Sequence, residues 1–135
     1  MELSEREKAI TMMLVDDSVI NHYIVKTIFR KEGFINEVIC FEGAAEALMQ
    51  LSNIDESNLP DIILLDINMP GMNGFDFLEA FNELSSVVKQ KCKIVMLTSS
   101  MNAADVERAT SNPYVKFYLH KPLTKESISQ LLKLI

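Results

Sequence analysis

Several short apolar runs in this chain stop abruptly on polar side chains that carry useful chemistry. Met12–Val15 is closed by Asp16 and Asp17, Ile62–Leu65 by Asp66, and Ile94–Leu97 by Thr98. Val115–Leu119, broken only by Lys116, leads into His120 and Lys121, and Val38–Phe41 is a further run of the same kind. Apolar runs this short, without alternation, suit strands buried on both faces. Such strands need helices above and below, and the intervening segments supply them. Ile20, Ile24, Thr27, Ile28 and Lys31 share one side of a first helix, which Ser18 or Asp17 can cap and Gly33 can end. Ala44–Leu51 turns Ala47, Leu48 and Leu51 inward, and Phe75–Leu84 buries Phe75, Leu78 and Phe81 or Phe77. Asn102 or Ser100 caps a helix reaching about Ser111, and Thr124 caps a last helix through Ile135, with Ile128, Leu131, Leu132 and Ile135 inward. Ser52–Pro60 reads as a polar loop, and Met69–Gly74, with its proline and two glycines, as another. Five strands alternating with five helices predict an α/β domain with a parallel sheet and right-handed crossovers. Periodicity alone leaves the strand order open.

A chain of 135 residues is one ordinary domain. It needs no disulfide or metal staple to fold. The expected organisation is a short leader over residues 1–10 and a single domain over 11–135, with no output domain. Hydrophobic residues at 48% and charged residues at 24% exclude intrinsic disorder. The formal net charge of −6 argues against a general nucleic-acid surface and against attraction to an anionic membrane. Cys40 and Cys92 are far apart in apolar runs, so they read as buried reduced thiols. No apolar run is long enough to span a membrane, and Met1–Thr11 does not resemble a signal peptide. A cytoplasmic location is the default.

In an open parallel sheet the C-terminal strand ends lie along one edge, where ligands bind. Asp16, Asp17, Asp66, Thr98 and Lys121, remote in sequence, should therefore meet in one shallow pocket. Three carboxylates packed together repel one another. A hard divalent cation such as Mg²⁺ relieves the repulsion while keeping some of its waters. Lys121 adds a point charge suited to a phosphate, and Thr98 a hydroxyl that can reach a phosphoryl oxygen. The set suits phosphoryl chemistry, in which an aspartate can be the nucleophile. Taken singly, each residue has a plainer reading. Asp17 alone is a helix cap, Thr98 alone a turn residue, and Lys121 alone a solvated loop lysine. Their coincidence at the same end of successive strands is what favours a site.

The sequence resembles the receiver domain of two-component response regulators. Leu14-Val15-Asp16-Asp17-Ser18, Leu64 through Gly74, Met96-Leu97-Thr98-Ser99 and His120-Lys121-Pro122 match that family in order and spacing. The resemblance covers about residues 11–135. It implies a flavodoxin-like (βα)5 three-layer sandwich with strand order 2-1-3-4-5, the order of the bacterial chemotaxis receiver. It implies Asp66 as phosphoacceptor, Asp17 as a direct Mg²⁺ ligand, Asp16 acting through a bound water, and the Asn68 backbone carbonyl completing the protein's share of the metal shell. Lys121 would pair with Asp66 and then with the phosphoryl group. Thr98 would swing toward the phosphate, and Tyr118 would rotate inward as the switch aromatic, unless it is ordinary strand packing. Asn68 and Ser100 would tune hydrolysis of the phosphorylated form, with no exceptionally fast decay expected from two uncharged side chains. The Lys121–Pro122 peptide is cis in the family. His22 and His120 read as surface histidines rather than phosphohistidines, and the eight methionines as core filler.

The resemblance implies a signalling module rather than an enzyme. A histidine kinase or a histidine phosphotransfer protein would be the phosphoryl donor. The face of the fourth helix, fifth strand and fifth helix would then be rearranged to bind a downstream protein, as a monomer or a weak homodimer. Two alternatives stand beside this. A haloacid-dehalogenase-type phosphatase also uses an aspartate after a parallel strand, but it carries a second aspartate where this chain has Asn68. A degenerate receiver would bind partners without phosphorylation.

Overall fold

The computed structural model of the protein describes residues 10–32, 37–99 and 102–134. In chain order the elements are β1 (Thr11–Val15), α1 (Val19–Glu32), β2 (Glu37–Phe41), α2 (Ala44–Asn53), β3 (Ile62–Asp66) and α3 (Gly74–Phe81). There follow α4 (Ser86–Lys91), β4 (Lys93–Thr98), α5 (Ala103–Ser111), β5 (Val115–His120) and α6 (Lys125–Leu132). All neighbouring strands pair in parallel, in the order β2-β1-β3-β4-β5. This is the flavodoxin-like receiver arrangement expected from the sequence.

The apolar runs explain the three layers. Alternate residues of each central strand point to opposite faces. Met13, Val15, Ile63, Leu65, Ile94 and Met96 pack on one side against Ala47 and Leu51 of α2, Phe77 and Phe81 of α3, Val88 of α4 and Ala109 of α5. Met12, Leu14, Ile62, Leu64, Val95 and Leu97 pack on the other against Val25 and Phe29 of α1 and Ile128 and Leu131 of α6. Every residue of β3 is buried, whereas β2, at the sheet edge, is half-buried to exposed. Among the described residues no helix is long and apolar enough to cross a membrane.

Four local readings differ from the sequence expectation. The inward stripe of α1 is Asn21, Val25 and Phe29, and Ile20 is 74% exposed. Ile20 lies one residue from Asn21, about a quarter-turn round the helix, so turning Asn21 inward turns Ile20 out. Helix α3 stops at Phe81, and the separate helix α4 makes six helices among the described residues. Its six residues are too few to show a period, although Ser85 caps it by accepting the Val88 N–H at 3.4 Å. The loop after α2 holds a 3-10 turn at Glu56–Asn58. The last helix ends at Leu132. Gly33, Ser100 and Ile135 lie outside the described residues.

The remaining caps follow their chemistry. Asn102 Oδ1 accepts the Ala104 N–H at 2.8 Å to start α5. Thr124 and Ser127 form a reciprocal capping box at the start of α6. Both cysteine thiols are pushed up in pKa chiefly by burial, Cys92 to about 12, which keeps them protonated and inert.

Candidate functional site

Register brings the polar strand ends together. Val15 pairs with Leu65, which sets Asp16 beside Asp66. Asp66 pairs with Leu97, and Thr98 with His120. The Lys121 N–H donates to the Thr98 carbonyl at 2.8 Å, and the Lys121–Pro122 peptide bond is cis.

The side chains converge from there. One carboxylate oxygen from each of Asp16, Asp17 and Asp66 lies within 4.8 Å of the other two. Asp16 and Asp66 are buried, whereas Asp17 is exposed at the rim. Lys121 Nζ reaches between the buried pair, 2.8 Å from Asp16 Oδ2 and 3.3 Å from Asp66 Oδ2. Thr98 is buried at the end of β4, which removes the turn reading. The cap reading of Asp17 also falls, because Ser18 Oγ accepts the Asn21 N–H at 3.1 Å and serves α1 itself.

Asp16 is fully engaged. Its Oδ1 accepts the Ser18 N–H at 2.9 Å, and its Oδ2 accepts Asn21 Nδ2 at 2.6 Å as well as Lys121. His22 Nε2 lies 2.6 Å from the Asp16 backbone carbonyl, so it donates in the Nε2–H tautomer. His22 is thus a half-buried support of the site, not a free surface histidine; His120 is exposed, edge-on to Tyr118 at 5.6 Å between ring centroids. Sequence reasoning missed Asn21 and His22. The available signal was a polar pair one helical turn beyond the acidic strand end.

The loop after Asp66 is held tightly. Asp66 Oδ1 accepts the Asn68 N–H at 3.3 Å, and the Gly74 N–H returns to the Ile67 carbonyl at 2.8 Å. A Cβ on Gly74 would stand 2.5 Å from the Asp66 carbonyl oxygen, so the return needs glycine there. Asn73 and Asp76 then close a capping box that launches α3.

Charge and burial set the electrostatics. Burial raises the Asp66 pKa from 3.8 to about 6, Lys121 opposes this, and the Asp16 charge adds to the rise. Burial pulls Lys121 down, but its hydrogen bond to Asp16 and the two aspartate charges outweigh that and raise it. The donor set is all hard oxygen, with one exposed carboxylate at the mouth, and so fits a small divalent cation. Asp17 has the freer oxygens for direct ligation, and the Asp66 contacts, both at 3.3 Å, are longer than those of 2.6, 2.8 and 2.9 Å that occupy Asp16.

A family model for the response regulator receiver domain matches residues 12–133. The chain belongs to this receiver family. A receiver protein from Dyadobacter fermentans is 32% identical, with a TM-score of 0.82 over 92% of this chain and 95% of its own. A two-component response regulator from Cytophaga hutchinsonii is 29% identical, with a TM-score of 0.86 over 93% and 96%. The sensory/regulatory protein RpfC of Xanthomonas campestris is 24% identical over 94% of this chain, but the chain spans only 16% of its length. In this chain the acid cluster, lysine and threonine stand together at the C-terminal strand ends.

Proposed function

We propose that this receiver domain accepts a phosphoryl group on Asp66 from a phosphohistidine of a histidine kinase or a histidine phosphotransfer protein. The carrying observation is Lys121 set between two buried aspartates, with Asp17 open at the mouth. An Asp66 carboxylate oxygen forms the new O–P bond as the P–N bond breaks. The imidazole leaves with the bonding pair and is protonated from solvent. Asp17, Asp66 and the Asn68 carbonyl would hold Mg²⁺ directly, and Asp16 would do so through water. When bound, Mg²⁺ neutralises charge on the phosphoryl oxygens. Lys121 binds the arriving phosphoryl group, and the Thr98 hydroxyl turns to it.

Val19, Ile20 and Tyr23 support a docking role for the start of α1. They are 60%, 74% and 72% exposed, immediately beyond Asp17. At the far edge, half-buried Tyr118 borders a groove of about 320 Å³ with Phe117, Gln130 and Leu134. In our reading, inward rotation of Tyr118 after phosphorylation reshapes the α5–β5–α6 face for a downstream protein, as a two-state population shift. Asn68, exposed beside Asp66, and Ser100 set the lifetime of the phosphorylated state.

The test is intact mass after incubation with a small acyl phosphate, with and without Mg²⁺, for wild type and Asp66→Asn. A single adduct requiring both Mg²⁺ and Asp66 is the expected result. Turnover of a general phosphomonoester would instead support a hydrolase.

A further inference from the structure

One contact in the acid pocket has no part in the scheme above. Asn21 Nδ2 donates to Asp16 Oδ2 at 2.6 Å, and both residues are buried. The same oxygen takes Lys121 Nζ at 2.8 Å, while Lys121 stands 3.3 Å from Asp66. The lysine therefore rests more closely on the aspartate that is not the phosphoacceptor. We infer that Asn21 is a positioning residue, whose amide keeps Asp16 Oδ2 satisfied when Lys121 leaves it for the phosphoryl group on Asp66. This rests on the phosphoryl-acceptor role of Asp66.

A phosphoryl group brings about two negative charges to the pocket. Lys121 is a flexible stem with a rotatable ammonium, so it can follow that charge. Asp16 cannot, because it directly follows β1 and its Oδ1 is pinned by the Ser18 N–H at 2.9 Å. Without Asn21, Oδ2 would lose its remaining protein donor at the moment the lysine moved, and a buried carboxylate oxygen stripped of its protein donors is costly. That cost would hold Lys121 back. With Asn21 in place, one donor stays whichever way the lysine points. The helix start that carries the amide is itself held: the Asn21 backbone N–H bonds Ser18 Oγ at 3.1 Å, and the adjacent His22 ring holds the Asp16 carbonyl at 2.6 Å. An amide also suits the place because it donates without charge. A second cation there would compete with Lys121 for the phosphoryl group.

The test compares wild type with Asn21→Leu, a near-isosteric change that removes the donor. Urea denaturation first establishes that the variant is folded. Two affinities are then measured: for Mg²⁺ alone, and for beryllofluoride, a phosphoryl mimic, in saturating Mg²⁺. Because Lys121 stays on Asp16 until a phosphoryl-like group arrives, Mg²⁺ affinity should change less than about two-fold. Beryllofluoride affinity should fall about ten-fold, equivalent to about 1.4 kcal/mol. Adduct formation from a small acyl phosphate should slow in parallel. Equal losses of both affinities would mark Asn21 as a merely structural residue and overturn the inference, as would unchanged beryllofluoride binding. A wild type that binds no beryllofluoride and takes up no phosphoryl group would instead overturn the receiver role, and the inference with it.

Discussion

Replacing Asp66 by Asn removes one charge and almost no volume. In the fold, burial raises the Asp66 pKa from 3.8 to about 6, a change of about two units. Each unit is worth about 1.36 kcal/mol, so keeping this carboxylate ionised costs the native state about 3 kcal/mol at pH 7.5 without metal. Asp66 is only 4% exposed, so solvent screening does not erode that figure much. The native state binds the proton more tightly than the unfolded chain. The deficit is therefore fully present above pH 6 and fades as pH falls through 6 toward 3.8, to about half its size near pH 5. Asp66→Asn should accordingly be more stable than wild type in EDTA at pH 7.5. Urea midpoints should differ by about 1 to 2 M, and the difference should shrink by about half at pH 5. Added Mg²⁺ should stabilise wild type more than the variant and narrow the gap. A variant no more stable than wild type in EDTA, or a gap that ignores pH between 5 and 7.5, would refute the claim that burial strains this carboxylate.

Gly74→Ala forces a methyl 2.5 Å from the Asp66 carbonyl, so it should cost about 1–3 kcal/mol by urea denaturation and slow adduct formation. Gly71→Ala, at φ +77° but with no atom near its Cβ, should cost about 1–2 kcal/mol and leave adduct formation unchanged. Glu or Lys in place of Asn68 should change the decay rate of the adduct several-fold, measured by its loss from the intact mass after donor removal; an unchanged rate would refute the tuning role. Tyr23→Ala should weaken phosphoryl transfer from a phosphohistidine protein several-fold while leaving uptake from a small acyl phosphate unaltered, and equal slowing of both would remove α1 as the docking face.

The fold was readable because the three central strands are buried on both faces. The runs of β1, β3 and β4 are so apolar that only a covered parallel sheet suits them, and the polar residues that end them mark the site. The failures share a cause: tertiary demands on short or mixed segments. In α1 the apolar Ile20 suggested an inward face, but the buried carboxylate of Asp16 draws Asn21 in and turns Ile20 out. Polar-to-polar burial of this kind leaves no hydrophobic period to read. Helix α4 has Val87 and Val88 among lysines and depends on Val88 meeting a core already built by α3. The motifs located Asp16, Asp66 and Lys121, but not that Lys121 would stand closer to Asp16 than to Asp66. That ordering follows from backbone register and loop closure, which single residues do not encode.

The cation that sits between the buried aspartates, Lys121, is synthesised after all three carboxylates. The three carboxylates lie on β1, β3 and their edges, all complete by residue 66, whereas their counter-charge follows β5 at residue 121. A nascent chain lacking that segment holds an uncompensated anionic knot at the centre of its sheet. Repulsion there would oppose early closure of β1 on β3, so the ion pair that prepares the pocket for phosphate should also favour joining the two strands after Lys121 is in place.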